Sequence, residues 1–541
     1  MLKPIAILYV ITTLLTISCK KDHPYWDVDV VGPLAQSTLK LNKLFPDSVL
    51  KSNKDSSLKI AFESKIMDFT VDSLFNIPDT TLTSYYSPIV WAGGYFTYNP
   101  NDVFPIASPN TDMEFAISTV ELNQIKILKG KMRLKVESVM KQPTIFNCLL
   151  SSAKKNGQVL NINIPTPAAT YLKNDTIPGI ADTLIDLSGY DIDMSGSGGN
   201  KTNTIFYTLK LIIAPYAQTD SLKKGDYIKT NISFIHIIPQ YGQGYFGNQT
   251  IYVGPDTNSF HAFSNFKTGI LNLSNASMQL KVINEFGVDM KAKINEVSAI
   301  NSFTGSHIVL SGPSLASSFN VNRATKTGIP SVPINSSTKT LFINDKNSNI
   351  VPFMNVMPNN LGYNFSAQLN PNGNQSGMND FVYYGTSLKA YLNVDIPLNF
   401  SAGNLSLIDT VGFNYSSTTQ LDNVNYGNLL LYANNGYPMS MLVQGYLLDE
   451  NGIKIDSLFA DNSQNTISSA DIGTDNKVIN SKKSELKIPL NKNKIVNIKR
   501  ARKVCFVSKF NTTNQPSTIK FYNYYSLDLT LTIDVNYSVN K

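Results

Sequence analysis

Few residues in this 541-residue chain are of types that do chemistry on their own. Its four histidines, His23, His236, His261 and His307, are never three or four positions apart, so no helix face carries the paired imidazoles of a zinc hydrolase. His236, in "SFIHII", reads as a strand histidine. No G-x-S-x-G nucleophile elbow occurs. "GSGGNKT" (196–202) fails as a phosphate loop, because its lysine follows Asn200 rather than a glycine and no strand leads into a helix; a polar hairpin turn is expected. "DIDMSGSGG" (191–199) spaces Asp191, Asp193 and Ser195 as a calcium loop would, with Gly196 sixth, but its twelfth position is Thr202 where such a loop needs Glu. Asp27 and Asp29 alternate on one strand face. A glycosidase needs its two carboxyls across a cleft, whereas acidic residues on an edge strand discourage aggregation. No catalytic, cofactor-binding or metal-binding residue is assigned, no cofactor is expected, and the chain is read as non-enzymatic. A hydrolase whose site is assembled from distant loops is the third choice.

The position with the clearest chemical meaning is Cys19. One lysine, Lys3, precedes an apolar run from Ile5 to Ile17, which is too short to span a bilayer and the right length for an export signal. The run meets Ser18-Cys19, a small residue before cysteine, as lipoprotein processing requires. Leucine commonly stands three positions before such a cysteine; here Thr16 is there and Leu15 is one earlier. Residues 1–18 are expected to be removed and Cys19 to carry acyl chains, each buried CH₂ contributing roughly 0.8 kcal/mol of membrane affinity. Of the remaining cysteines, Cys148 and Cys505 both lie in apolar, strand-like runs; two buried free thiols are expected, with a disulfide between them as the alternative.

The elements around these residues are strands. Charged residues are only 16% of the chain, below the average soluble domain, while Tyr and Phe number 27 each, so amide and hydroxyl side chains must supply the polar surface. Runs such as "NTIFYTLKLIIA" and "YIKTNISFIHII" are β-branched or aromatic, and clusters such as "KKNGQ" and "NPNGNQSG" punctuate them. Short helices are expected in the arm before "FPD", at "STVELNQIKIL" and near 481–488. The formal charge of +7 is carried by scattered lysines, a solvated basic surface; nucleic acid is excluded as a partner for an exported chain.

Length predicts about three domains of roughly 150 residues. An internal echo agrees. Segments 131–152, 277–298 and 428–452 each place a polar residue after an alternating strand (Ser138, Asn284, Asn434). A large apolar residue follows (Met140, Phe286, Tyr437), and a second strand begins. The expected fold is all-β: tandem β-sandwich domains, immunoglobulin-like or water-stress/LEA-like, at 55–222, 223–380 and 381–541, after a lipidated tether and extended arm at 19–54.

The stretches "YWDVDVVGPLAQSTLKLNKLFPDSVLKSNKDSSLKIAF", "TLIDLSGYDIDMSGSGGNKTNTIFYTLKL" and "LLLYANNGYPMSMLVQGYLLDENGIKIDSLF" together resemble a family of large outer-membrane lipoproteins of Bacteroidota. Some members act as surface-exposed accessory subunits of the BamA-centred barrel-assembly machine. The resemblance implies an envelope scaffold held in the outer membrane by Cys19, whose partners are an outer-membrane β-barrel protein and other lipoproteins. "CKKDHP" partly matches the address that sends such proteins to the outer face. Within the arm, Trp26 is the expected docking anchor. The alternative is a surface glycan-binding lipoprotein of a nutrient-uptake system, for which "YYSPIVWAGGYF" and "QYGQGYF" supply aromatic residues but Trp26 and Trp91 are the only tryptophans.

Overall fold

The computed structural model describes residues 25–70, 74, 76–87, 94–173, 175–412, 423–460, 465–513 and 515–540. Cys19, His23 and Trp91 therefore lie outside the described residues. The described residues are nearly all β and form three sandwiches, each built around two antiparallel runs of four main strands to which further short strands add.

The order in which these sheets are assembled differs from the expectation of three consecutive domains. The chain first lays down three separate strands: β1 (Tyr25–Leu39), β2 (Leu58–Thr70) and β3 (Thr80–Tyr86). Only β3 joins the first sandwich. That unit continues with β4 (Val103–Glu114), β5 (Glu121–Ser138), β6 (Thr144–Lys155), β7 (Gln158–Thr166), β8 (Gly179–Asp186), β9 (Asp191–Asp193), β10 (Thr204–Ile213) and β11 (Ile228–Tyr245). One sheet runs β3-β11-β5-β8 and the other β4-β10-β6-β7, with β9 bridging β5 and β6.

The second unit takes β12 (Thr250–Ser259), β13 (Ser277–Asn284), β14 (Met290–Asn301) and β15 (Ser306–Val309), then a projecting hairpin of β16 (Thr325–Ile329) and β17 (Val332–Asn335). It ends with β18 (Ser337–Asn344), β19 (Asn360–Leu369), β20 (Asp380–Tyr383) and β21 (Ser387–Pro397). Its sheets are β2-β21-β13-β18 and β12-β19-β14-β15, so β2 closes a unit whose other strands begin almost 200 residues later.

The third unit comprises β22 (Asn399–Gly412), β23 (Val424–Asn435), β24 (Met439–Leu448), β25 (Lys454–Ser457), β26 (Lys482–Leu490), helix α1 (Lys492–Arg500), β27 (Lys503–Thr512) and β28 (Leu527–Asn540). Its sheets are β1-β28-β23-β26 and β22-β27-β24-β25, the latter extended beyond β22 by the strand Phe266–Leu273. The arm is thus the edge strand of the last sandwich, with Tyr25 opposite Asn540 and Leu39 opposite Leu527. The three units are nested: the outer two open at the N-terminal end of the chain and close after the first is complete. The boundaries expected at 55, 223 and 381 fall within this scheme rather than delimiting it. Antiparallel edge pairing needs only a compatible alternation, which strands far apart in sequence satisfy equally well.

The predicted repeat is real in the backbone, with one correction. Ser138, Asn284 and Asn435 end equivalent strands, so the third copy is Asn435, not Asn434. The amides of the next residues, Val139, Glu285 and Gly436, donate to the carbonyls of Tyr227, Ser387 and Ser526. One residue further on, the carbonyls of Met140, Phe286 and Tyr437 accept from Ala169, Ala324 and Ala470 at 2.8–2.9 Å. All three large apolar residues are buried. An unpaired buried backbone group is costly, so each copy needs this corner satisfied in the same way.

Two of the expected helices are strands. "STVELNQIKIL" becomes the start of β5, because Ile125, Ile127, Met132, Leu134 and Val136 face the core at a two-residue period that outlasts the helix-like Leu122–Ile125 spacing. Residues 482–490 form β26, and the helix follows it as α1, its first turn capped by the Asn491 side chain accepting from Lys494 N–H at 2.8 Å. Among its described residues the arm holds one 3₁₀ turn, Leu41–Lys43, ahead of Phe45. Phe45 is buried against Phe263, Phe266 and Phe400 with ring centroids 5.3–6.4 Å apart, which fixes the arm where the second and third units meet.

Candidate functional site

The strands β5 and β11 are both 18 residues long and belong to two environments. Their paired halves, Lys131–Ser138 and Ile228–Ile235, lie in the first sandwich. At His236 the register shifts, and the backbone enters the left-handed region (φ 51°) with its N–H donating to Asp79 Oδ1 at 2.7 Å. Opposite lies Gly130, which leaves room for the Ile237 side chain: a Cβ there would stand 2.5 Å from Ile237 Cδ1. His236 is therefore an exposed bulge residue in a strand, as its sequence context suggested.

Beyond the bulge, the other halves of β5 and β11 leave the sandwich and lie beside β9 and β20. The register places side chains in two rows on one face. Tyr383, Tyr241, Lys126, Asp191 and Lys154 face one another in sequence across β20, β11, β5, β9 and β6. Beside them run Phe381, Gln243, Gln124 and Asp193. The residues between, Ile125 and Ile192 among them, point the other way into the core. A cleft of about 570 Å³ opens between this face and the β16–β17 hairpin, lined also by Lys326, Pro330, Pro333 and Tyr384. It shares Gln124, Asp191 and Gln243 with a neighbouring hollow of about 410 Å³ that includes Ser151, Ser152 and Lys154.

The hairpin is fastened over the face by Lys326. Its ammonium donates to Tyr241 Oη at 2.6 Å and Gln243 Oε1 at 3.0 Å, and lies 4.9 Å from the centres of the Tyr241 and Phe381 rings. Desolvation of that ammonium lowers the Lys326 pKa below the usual lysine range, and burial raises the Tyr241 phenol above its own. Beneath, Asp380 holds β20 in place. It is 0% exposed, accepts from Asn370 Nδ2 at 2.7 Å, and sits 3.3 Å from Arg323 Nη1. Arg323 is itself held by Asp289 through its Nε at 2.9 Å and Nη2 at 2.7 Å.

Other residues singled out in the sequence fall outside this cleft. Trp26 lies on β1 and is 65% exposed, on the face that also carries Val28 and Val30. Val30 stands opposite Val535, which is buried in a small core with Val424, Ile495 and Ile498 beneath α1, so the apolar face of the strand runs on past that core into solvent. Asp27 and Asp29 are on the opposite face. Asp27 accepts from Ser538 Oγ at 2.7 Å and Asp29 from Asn536 Nδ2 at 3.0 Å, a polar edge ladder and not two carboxyls flanking a cleft.

"DIDMSGSGG" is β9 followed by a turn. Asp191 and Asp193 are on the polar face, and Asp193 accepts from Ser195 Oγ at 2.5 Å. Among the described residues no group of three or more His, Cys, Asp or Glu is arranged to hold a metal ion. "GSGGNKT" is the expected polar turn, with Lys201 paired to Asp112 at 2.9 Å. Cys148 and Cys505 are both free. Cys148 is buried, and burial pushes its thiol up to about 12; Cys505 is half-buried.

No family model matches the chain, and no curated protein matches it. A Parabacteroides distasonis protein, itself only inferred to be secreted, aligns at 13% identity over 54% of this chain and 87% of its own, with a TM-score of 0.28. A chain from an archaeal virus, described by its triple jelly-roll fold and turret assembly, aligns at 9% identity over 86% of this chain and 92% of its own, with a TM-score of 0.11. At these scores the fold rests on the strand pairings, and neither likeness bears on function.

Proposed function

We propose that this protein is a non-enzymatic outer-membrane lipoprotein, anchored through Cys19 and facing the cell exterior, that serves as a scaffold for an envelope complex built around an outer-membrane β-barrel. The reading rests on the resemblance to Bacteroidota lipoproteins and on one structural observation. From Tyr25 onward the arm is paired with β28, and only five residues separate Cys19 from Tyr25. A lipid on Cys19 would hold the third unit within about 20 Å of the bilayer surface. It would also present Trp26, Val28 and Val30 beside the membrane, where an integral barrel is within reach. The tether raises the local concentration of such a partner, so modest protein contacts suffice.

The test is isolation of the full chain from its own cells in mild detergent, with a photo-crosslinking residue at position 26. The reading predicts membrane fractionation that is lost in Cys19→Ala, and a crosslink from position 26 to a barrel-assembly protein. Membrane association that survives Cys19→Ala, or a crosslink to a nutrient transporter instead, would contradict it.

A further inference from the structure

The cleft between the first unit and the β16–β17 hairpin has no part in the scaffold reading. We propose that it is a binding site for an oligosaccharide chain, laid across the strands along the row from Tyr383 to Lys154.

Four observations carry this. First, the face is polar where it need not be. Among the described residues Asp191 stands in register between Lys126 and Lys154 and makes an ion pair with neither. Its carboxylate and the two ammonium groups are therefore available to outside hydroxyls, and a carboxylate can accept two at once. Second, the row begins at an aromatic platform. Tyr383 packs against Tyr241 with ring centroids 4.9 Å apart, and Tyr384 beside it is 51% exposed, giving an apolar ring against which the C–H face of a sugar can lie. Third, the geometry suits a chain more than a single ring: five strands at about 4.8 Å spacing make a track of about 19 Å. Fourth, the site lies where two units meet and is already shaped, with Lys326 clipping the hairpin in place, so little ordering is needed on binding.

The same features disfavour other ligands. With Asp191 and Asp193 set among Lys126, Lys154 and Lys326, the floor carries mixed charge rather than the unbroken basic lining a polyphosphate backbone needs. A peptide recruited by strand addition would sit along the outer edge of β20, the end strand of the row, and not across the face.

The experiment uses the full chain in mild detergent. It is titrated by calorimetry with defined tetrasaccharides and hexasaccharides of neutral hexoses, N-acetylhexosamines and uronic acids. Binding of at least one class is expected, with affinity weakened at least tenfold in Asp191→Ala and in Tyr384→Ala. Both side chains are exposed and make no hydrogen bond in the structure, so both variants should keep the wild-type melting temperature. Lys483→Ala, in the third unit, should bind as wild type. Absence of binding to every class, or binding unchanged in both cleft variants, would overturn the proposal, and capture of peptides in place of sugars would do the same. None of these outcomes depends on lipidation or on the barrel partner, so this site and the scaffold reading fail separately.

Discussion

Replacing Asn435 with alanine is expected to destabilise the third sandwich by about 3–4 kcal/mol, whereas Asn434→Ala next to it should cost less than about 1 kcal/mol. Asn435 is buried, and its side chain makes three hydrogen bonds to the main chain. Oδ1 accepts from Tyr437 N–H at 2.9 Å, while Nδ2 donates to the carbonyls of Met439 at 2.9 Å and Ser468 at 2.8 Å. Alanine leaves one N–H and two carbonyls without these partners in a corner closed to water, each worth about 1–3 kcal/mol when fully buried, less whatever relaxation recovers. Asn434 points to the other face of β23, and no hydrogen bond to its buried Oδ1 is present. Asn284 makes the equivalent bonds to Phe286, Val288 and Asn322, all at 2.9 Å, so Asn284→Ala should cost the second unit a similar amount. In the first unit Ser138 makes only the bond from Met140, at 3.2 Å, and Ser138→Ala should cost least of the three. Urea unfolding of each variant, followed by intrinsic fluorescence and circular dichroism, gives the ranking.

The second large effect is expected at Asp380. Asp380→Ala should cost about 3–5 kcal/mol, the range for removing one partner of a buried ion pair. The carboxylate is fully buried and is reached by Arg323, Asn370 and, at 3.5 Å, the Phe246 amide. Its removal leaves Arg323 held by Asp289 alone on the outer side and strips β20 of its anchor. The loss should appear in two measurements: a lower unfolding midpoint, and faster amide exchange in Asp380–Tyr383 and the facing Tyr241–Gly244 than elsewhere in the second unit. Asp380→Asn should recover part of the stability, because an amide oxygen keeps its dipole directed at Arg323 even though Asn370 must then reorient.

How much of this was legible in the sequence follows from which signals are local. The two-residue alternation in "KMRLKVES" declares a half-buried strand without help from the rest of the chain, and turns such as "SGSGGN" declare its ends. The repeat was legible for the same reason, because the corner after Ser138, Asn284 and Asn435 is built from neighbours. The third copy slipped by one residue because "NN" offers two asparagines, and only the hydrogen bonds show which faces inward. The nesting left no local trace. "WDVDVV" reads as a strand wherever its partner lies, and nothing in it points to residues 534–539. The cleft was half visible: the pairs Gln124/Lys126, Asp191/Asp193 and Tyr241/Gln243 each bracket one residue, which marks their side chains as sharing a face. That these pairs come together depends on register across five strands and on the bulge at His236, which no single segment encodes. "STVELNQIKIL" misled because Leu122 and Ile125 are spaced as on a helix, and the alternation that corrects them begins only with Ile125–Ile127.

The account depends most on the claim that the arm after the proposed anchor is an integral strand of the last sandwich. Hydrogen exchange followed by mass spectrometry on the full chain tests this directly. If β1 is the edge strand of the third unit, peptides covering residues 27–38 will be protected for minutes or longer and will lose protection together with peptides from β28 when the third unit unfolds in urea. If they instead exchange within seconds while β28 and β23 stay protected, the arm is a free tether, and both the nested fold and the fixed presentation of Trp26 are wrong.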